Sequence, residues 1–203
     1  MAKLKRICVY CGSGAGTDPA YAAAAKILGQ SMAEQDIELV YGGGSVGLMG
    51  ITAQSVIDHG GRVTGVIPHF LKEREVMLDS VQKLIITQDM HERKRKMFDC
   101  AQAFVALPGG IGTLEELVEM LTWAQLGRHK KPVLLANINE FWDPLMTLLD
   151  HMRDEQFIRN GMEVNHLATS DPNQIVSMLQ QAANVLDDAA LADETCNEPL
   201  NKF

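Results

Sequence analysis

Seven apolar runs of five to seven residues, most of them rich in β-branched side chains, recur along this chain with helical patterns between them. They lie at 4–10, 37–41, 62–67, 83–87, 103–107, 132–138 and 166–170, and the helical stretches at 20–35, 47–59, 89–102, 113–127, 142–155 and 172–186. Most runs are near-continuous rather than alternating, the pattern of strands covered on both faces. Strand, helix, strand repeated this way requires right-handed crossovers, so the expectation is a doubly wound parallel sheet of the α/β class. With 203 residues and 46% apolar content the chain suits one buried core and is short for two. One catalytic domain is expected over 1–186, followed by an acidic, unpatterned and disordered tail over 187–203.

In such a sheet, ligands sit at the carboxyl ends of the strands near the point where strand order reverses. Three runs end in glycine-rich turns there: CGSGAGT after the first, GGGSVGLMG after the second and PGGIGT after the fifth. Glycines spaced two apart at Gly12, Gly14 and Gly16 do not make G-x-G-x-x-G, and Val40-Tyr41-Gly42 offers no acidic residue for a ribose 2′-hydroxyl, which disfavours a dinucleotide oxidoreductase. A P-loop is excluded by the lack of G-x-x-x-x-G-K-[ST]. The net charge of −8 argues against nucleic-acid or membrane-surface binding. Without an export signal or a spanning run, a cytoplasmic protein is expected. Cys8 and Cys11 form C-x-x-C, but no second pair accompanies them and no helix opens after them, so neither a metal nor a redox role is expected.

Chemistry concentrates in two segments. In PGGIGT the glycines admit an oxyanion to the backbone, Thr113 caps the helix or donates its hydroxyl, and the helix dipole favours negative charge. Two glutamates follow at once. On the helical wheel Leu114, Leu117, Val118, Leu121 and Ala124 form an apolar stripe, with Glu115 and Glu119 solvated on another side. Glu116 falls beside Met120 and Trp123. A carboxylate there suits the ribose of a phosphorylated ligand, whose C1′ and ring oxygen gain positive charge when an N-glycosidic bond breaks. In DMHERKRKMF (89–98), Asp89 and Glu92 make a capping box. Arg93 and Lys94 border the apolar face and are aimed at a ligand, whereas Arg95 and Lys96 point to solvent. Trp123 and Met120, lying away from the stripe, suggest a dimer interface on this helix.

MHERK (90–94) and PGGIGTLEE (108–116), together with CGS, YGGGSVGLMG and the WAQLG to KPV stretch, resemble the LOG family of cytokinin riboside 5′-monophosphate phosphoribohydrolases over about 5–186. The resemblance implies a Rossmann-like fold, a homodimer, and hydrolysis of N6-substituted adenosine monophosphates to free base and ribose 5-phosphate without metal or cofactor. Plain AMP is a further candidate substrate. It implies Arg93 and Glu116 as the catalytic pair, and nucleotide contacts from Ser13, Gly43, Gly44, Lys94, Gly109, Gly110, Ile111, Gly112, Thr113, Leu114, Glu115 and Thr122. Glu75 is a further contact, although KEREV lacks the proline that many relatives carry before the Arg-Glu. Members were often labelled lysine decarboxylases, yet no lysine here is placed for a pyridoxal Schiff base. The competing readings are a non-catalytic nucleotide-binding or carrier module and the dinucleotide oxidoreductase. An intact Arg93 and Glu116 disfavour the former.

Overall fold

A computed structural model describes residues 4–72, 78, 80–159 and 161–186. Glu75 and the tail from 187 onward lie outside the described residues, as does much of the segment expected to loop over the strand ends.

All seven expected strands form, as β1 (Arg6–Tyr10), β2 (Glu38–Tyr41), β3 (Val63–Pro68), β4 (Lys83–Thr87), β5 (Ala103–Ala106), β6 (Val133–Ala136) and β7 (Leu167–Thr169). They make one parallel sheet in the order β4-β3-β2-β1-β5-β6-β7. The chain walks outward from β1 to β4, then returns to lay β5 against the free side of β1. The switch point is therefore the β1/β5 boundary, where Tyr10 pairs with Ala106.

Helices α1 (Pro19–Glu34), α2 (Gly47–Asp58) and α7 (Ile175–Asn184) cover one face. The opposite face carries α4 (Met90–Cys100), α5 (Ile111–Gln125) and α6 (Asp143–Asp154), while the single turn α3 (His69–Lys72) follows β3. The period of two along β1 decides which side each residue serves: Ile7 and Val9 join the first core, Cys8 and Tyr10 the second. Leu28, Leu39 and Leu117 are completely buried, each contributing about 1.5–3 kcal/mol of burial free energy before conformational entropy is counted. The same alternation sends Cys11 to the face opposite Cys8, so the two thiols of C-x-x-C, both free and buried, stand on opposite sides of the sheet.

Candidate active site

Arg93 and Glu116 are brought together from different helices. Asp89 is extended and its Oδ1 accepts from the Glu92 amide at 2.8 Å, which starts α4 where the capping pattern predicts. The Glu92 carboxylate reaches back to the Gln88 amide at 2.6 Å, one residue before its expected partner. On α4 the buried face is Arg93, Lys94, Lys96, Met97 and Cys100, whereas Arg95 is exposed. Lys96 thus departs from its expected solvent position: three residues after Arg93 and four before Cys100, it shares their side of the helix.

The Arg93 guanidinium is fixed in three directions. Nε donates to the Val66 carbonyl at 3.1 Å, Nη1 donates to Glu116 Oε1 at 2.7 Å, and Nη2 lies so close to Gly42 that a β-carbon there would collide with it. Sequence reasoning overlooked Gly42, although it opens the Gly42-Gly43-Gly44 run. Arg93 is 9% exposed and Glu116 8%. Burial raises the Glu116 pKa above that of an ordinary glutamate, the Arg93 charge and hydrogen bond oppose that shift, and the Glu115 charge reinforces it.

Glu115 and Glu119 are not simply solvated. Lys94 donates to Glu115 Oε1 at 2.5 Å and to Glu119 Oε1 at 3.2 Å, so its ammonium braces α4 against α5. Beside the Arg93–Glu116 contact this makes a second cross-helix ion pair. The carboxylates that follow the glycine turn are each met by a cation from α4.

Helix α5 begins at Ile111 with Gly110 as its N-cap, two residues earlier than expected, so Thr113 lies inside the first turn and is not the cap. Thr113 is buried against Gly109 so tightly that no β-carbon fits at that glycine. The buried face is Thr113, Glu116, Leu117, Met120 and Leu121, rotated from the expected stripe, because α5 is covered on its Glu116 side by α4 as well as by the sheet. Val118 is accordingly 42% exposed. Met120 is buried, and Trp123 packs edge-on against Phe98 at 5.0 Å beneath Arg128, so neither offers the outward aromatic surface expected. The face turned to solvent carries Ile111, Val118, Thr122 and Leu126, and the Thr122 hydroxyl donates to the Val118 carbonyl of its own helix at 2.7 Å.

The three glycine turns converge at the carboxyl ends of β1, β2 and β5. Gly12 donates to the Pro108 carbonyl at 3.1 Å and Leu48 donates to the Gly12 carbonyl at 3.0 Å. Gly47, at φ +60°, lies against the Ser13 backbone, where any side chain would clash. Gly43 and Gly44 are buried beneath the turns, whereas Ser13, Gly110, Ile111 and Gly112 face outward. Helices α1 and α4 occupy their first amides with their own aspartates, Asp18 and Asp89. By contrast, α2 and α5, which begin at the glycine turns, have no side-chain cap. At α2 the Leu48 amide is already taken by the Gly12 carbonyl, so the start of α5, with its uncapped amides and dipole, is what an anion requires.

A family model described as possible lysine decarboxylase matches residues 49–179. A probable cytokinin riboside 5′-monophosphate phosphoribohydrolase of Oryza sativa subsp. japonica is 54% identical, over 87% of this chain and 79% of that protein. The Arabidopsis thaliana cytokinin riboside 5′-monophosphate phosphoribohydrolase LOG7 is 48% identical, over 88% of this chain and 82% of that protein. Among solved structures, the molybdenum cofactor carrier protein of Chlamydomonas reinhardtii superposes with a TM-score of 0.67 at 22% identity, covering 91% of this chain and 100% of that one, a likeness of fold. With the paired helices, the glycine turns and relatives of this identity all in agreement, the chain belongs to the LOG family.

Proposed function

We propose that this protein hydrolyses the N-glycosidic bond of N6-substituted adenosine 5′-monophosphates, the cytokinin riboside 5′-monophosphates of its relatives' names, releasing free base and ribose 5-phosphate. The observation that carries the proposal is the buried Arg93–Glu116 pair beside the uncapped start of α5. The phosphate takes the amides of Gly109 to Thr113, with Ser13, Gly43 and Gly44 completing the cradle, while the Leu114 amide is spent on the Gly110 carbonyl at 3.0 Å. Glu116 then stands near C1′, where its charge gains most as the sugar becomes oxocarbenium-like. Arg93 keeps the carboxylate ionised and fixes its direction. Lys94 holds Glu115 away from the phosphate and lends the site positive charge. Glu75 serves as a further contact.

We further propose a cytoplasmic homodimer whose catalytic domain spans 1–186 and whose tail over 187–203 is dispensable. Support for the dimer comes from the outward face of α5, where Ile111 is 82% and Leu126 66% exposed, an unusual pairing on a helix that carries the site. Thr122 on this face reaches a ligand only across such an interface. Incubating the purified protein with AMP and with N6-prenyl-AMP, then separating the products, tests the activity. Equal amounts of base and ribose 5-phosphate are expected, and release of base from neither substrate overturns the proposal.

A further inference from the structure

The glycine turns have two sides. Arg93 and Glu116 stand on one, over β2 and β3, as the contacts of Arg93 with Val66 and Gly42 show. On the other, over β1, β5 and β6, lies a cavity of about 320 Å³ that shares Ser13, Gly109 and Gly110 with the phosphate cradle proposed above and whose aromatic end that reaction leaves unused. The turns themselves, Gly12 to Gly14 and Pro108 to Gly110, form its near wall, and Tyr21 and Phe141 its far wall. Neither Arg93 nor Glu116 lines it.

The aromatic wall is rigidly set. The two rings meet edge to face at 5.8 Å, and Tyr21 packs on Gly16, whose φ of +75° and lack of a β-carbon make room for it. Phe141 is presented by a tense turn: Asn139 and Glu140, neither of them glycine, adopt φ of +49° and +60° in succession just before it. Hydrogen bonds pin that turn, from Asn139 Nδ2 to Asp18 at 2.7 Å, from the Trp142 amide to Asn137 Oδ1 at 2.7 Å and from Trp142 Nε1 to the Ala106 carbonyl at 3.1 Å. The turn places an aromatic edge beside the anion cradle.

We infer that this cavity is a second subsite, which takes a planar group attached to the far side of the phosphate, so that the site binds nucleoside 5′-pyrophosphate dinucleotides as well as monophosphates. The inference rests on the proposed function insofar as the phosphate occupies the PGGIGT turn. A monophosphate fills the cradle and the Glu116 side alone, whereas a dinucleotide sends its second base over the turns to Tyr21 and Phe141.

The test compares P1,P2-di(adenosine-5′) diphosphate with ADP as inhibitors of AMP hydrolysis and as ligands in calorimetry. ADP carries the second phosphate without the second base, so the difference isolates the subsite. The dinucleotide is expected to bind about tenfold more tightly than ADP, the scale of a well-formed aromatic contact with its buried area. Phe141→Ala should abolish that advantage while leaving kcat/KM for AMP within about twofold. Ala15→Met, on the exposed rim of the cavity, removes no wall and should have the same effect by filling it. Equal affinity of the two ligands, or an advantage that survives both substitutions, overturns the subsite while hydrolysis of AMP stands. A protein that releases base from no monophosphate overturns the proposed function instead, and with it this subsite.

Discussion

Replacing Glu116 by glutamine separates charge from shape at the centre of the proposed site. The amide oxygen can still accept from Arg93 Nη1, and Arg93 Nε keeps its 3.1 Å bond to the Val66 carbonyl in either case. Removing one partner of a buried ion pair outright costs about 3–5 kcal/mol. Glutamine forfeits only part of that, and it abolishes the burial penalty that raises the Glu116 pKa. The two contributions oppose each other, so a stability change within about 2 kcal/mol is expected, a shift in Tm of about 4–8 °C for a domain of this length. Turnover has no such offset. A charge directed at an oxocarbenium-like centre contributes about 3–4 kcal/mol, so kcat should fall about 100- to 1,000-fold while the Kd for AMP moves little. Stopped-time product assays with calorimetry on the same preparation measure both. Glu115→Gln is the control, because its carboxylate is half exposed and bound to Lys94, and its rate should stay within about twofold of wild type. A Glu116→Gln enzyme with kcat within tenfold of wild type would refute the assignment.

Because burial raises the Glu116 pKa and Arg93 opposes it, the acid limb of kcat/KM should lie above the ordinary glutamate value of 4.5, and Arg93→Gln should move it higher still; a limb that stays put removes Arg93 from this role. In the same window the native state keeps a proton that the unfolded chain has released, so urea titrations should show wild type losing stability relative to Glu116→Gln as pH rises from 4.5 through the folded pKa, with no further loss above it. Arg93→Lys retains the charge but not the fork that reaches Val66, Glu116 and the Gly42 side at once, and kcat/KM should fall far more than for Arg95→Ala, whose side chain is exposed. At Gly112 a β-carbon meets nothing within 4 Å, so Gly112→Ala should raise Tm slightly, by up to about 1 kcal/mol of helix propensity, yet raise the KM for AMP by crowding the phosphate; an unchanged KM would place the phosphate elsewhere. Light scattering at low micromolar concentration should give a mass near twice 22.3 kDa, and Val118→Glu with Leu126→Glu should halve it; a fully active monomer contradicts the dimer.

The sheet was legible because its five inner strands are near-continuous apolar runs buried on both faces, a signal that depends on no partner in the rest of the chain. Helix α5 was harder to read. Its wheel carries apolar residues over more than half its circumference, and which of them are buried is decided by where α4 lies. A stripe centred on Leu117 and Leu121 was correct, but its edge fell at Val118 when it belonged at Thr113 and Glu116. Trp123 was misplaced for the same reason, since Phe98, the ring that covers it, is 25 positions away in sequence. Lys96 was assigned to solvent because the wheel placed it away from the apolar face, whereas the buried side of α4 extends round to it. Two motifs and the resemblance they carry singled out Arg93 and Glu116, but their direct contact was not legible, and Gly42, which leaves room for the guanidinium, carried no signal beyond its place in a glycine run. Tyr21 and Phe141 carried none at all, because their common cavity forms only when α1 and the turn after β6 converge.

The juxtaposition of an anion cradle with Glu115, Glu116 and Glu119 is resolved by α4. A row of cations in the early turns of a helix opposes its dipole and is locally unfavourable. Two of them, Arg93 and Lys94, are consumed by the carboxylates of the neighbouring helix. The cations, unfavourable on their own helix, are therefore satisfied by the carboxylates of the other. The pairing balances two of the three carboxylate charges near the start of α5, where Gly110 and Gly112 are exposed. It also leaves one carboxylate different from the rest. Glu115 is half exposed and Glu119 shares a lysine with it, but Glu116 is enclosed, held by a guanidinium and raised in pKa. Of the three, only that one occupies a low-dielectric setting in which a developing positive charge on a sugar is stabilised strongly, since solvent screening there is weakest. In the proposed reaction the arrangement thus separates two roles at the start of one helix: the backbone is assigned to the phosphate, and a single buried side chain to the cation that forms beyond it.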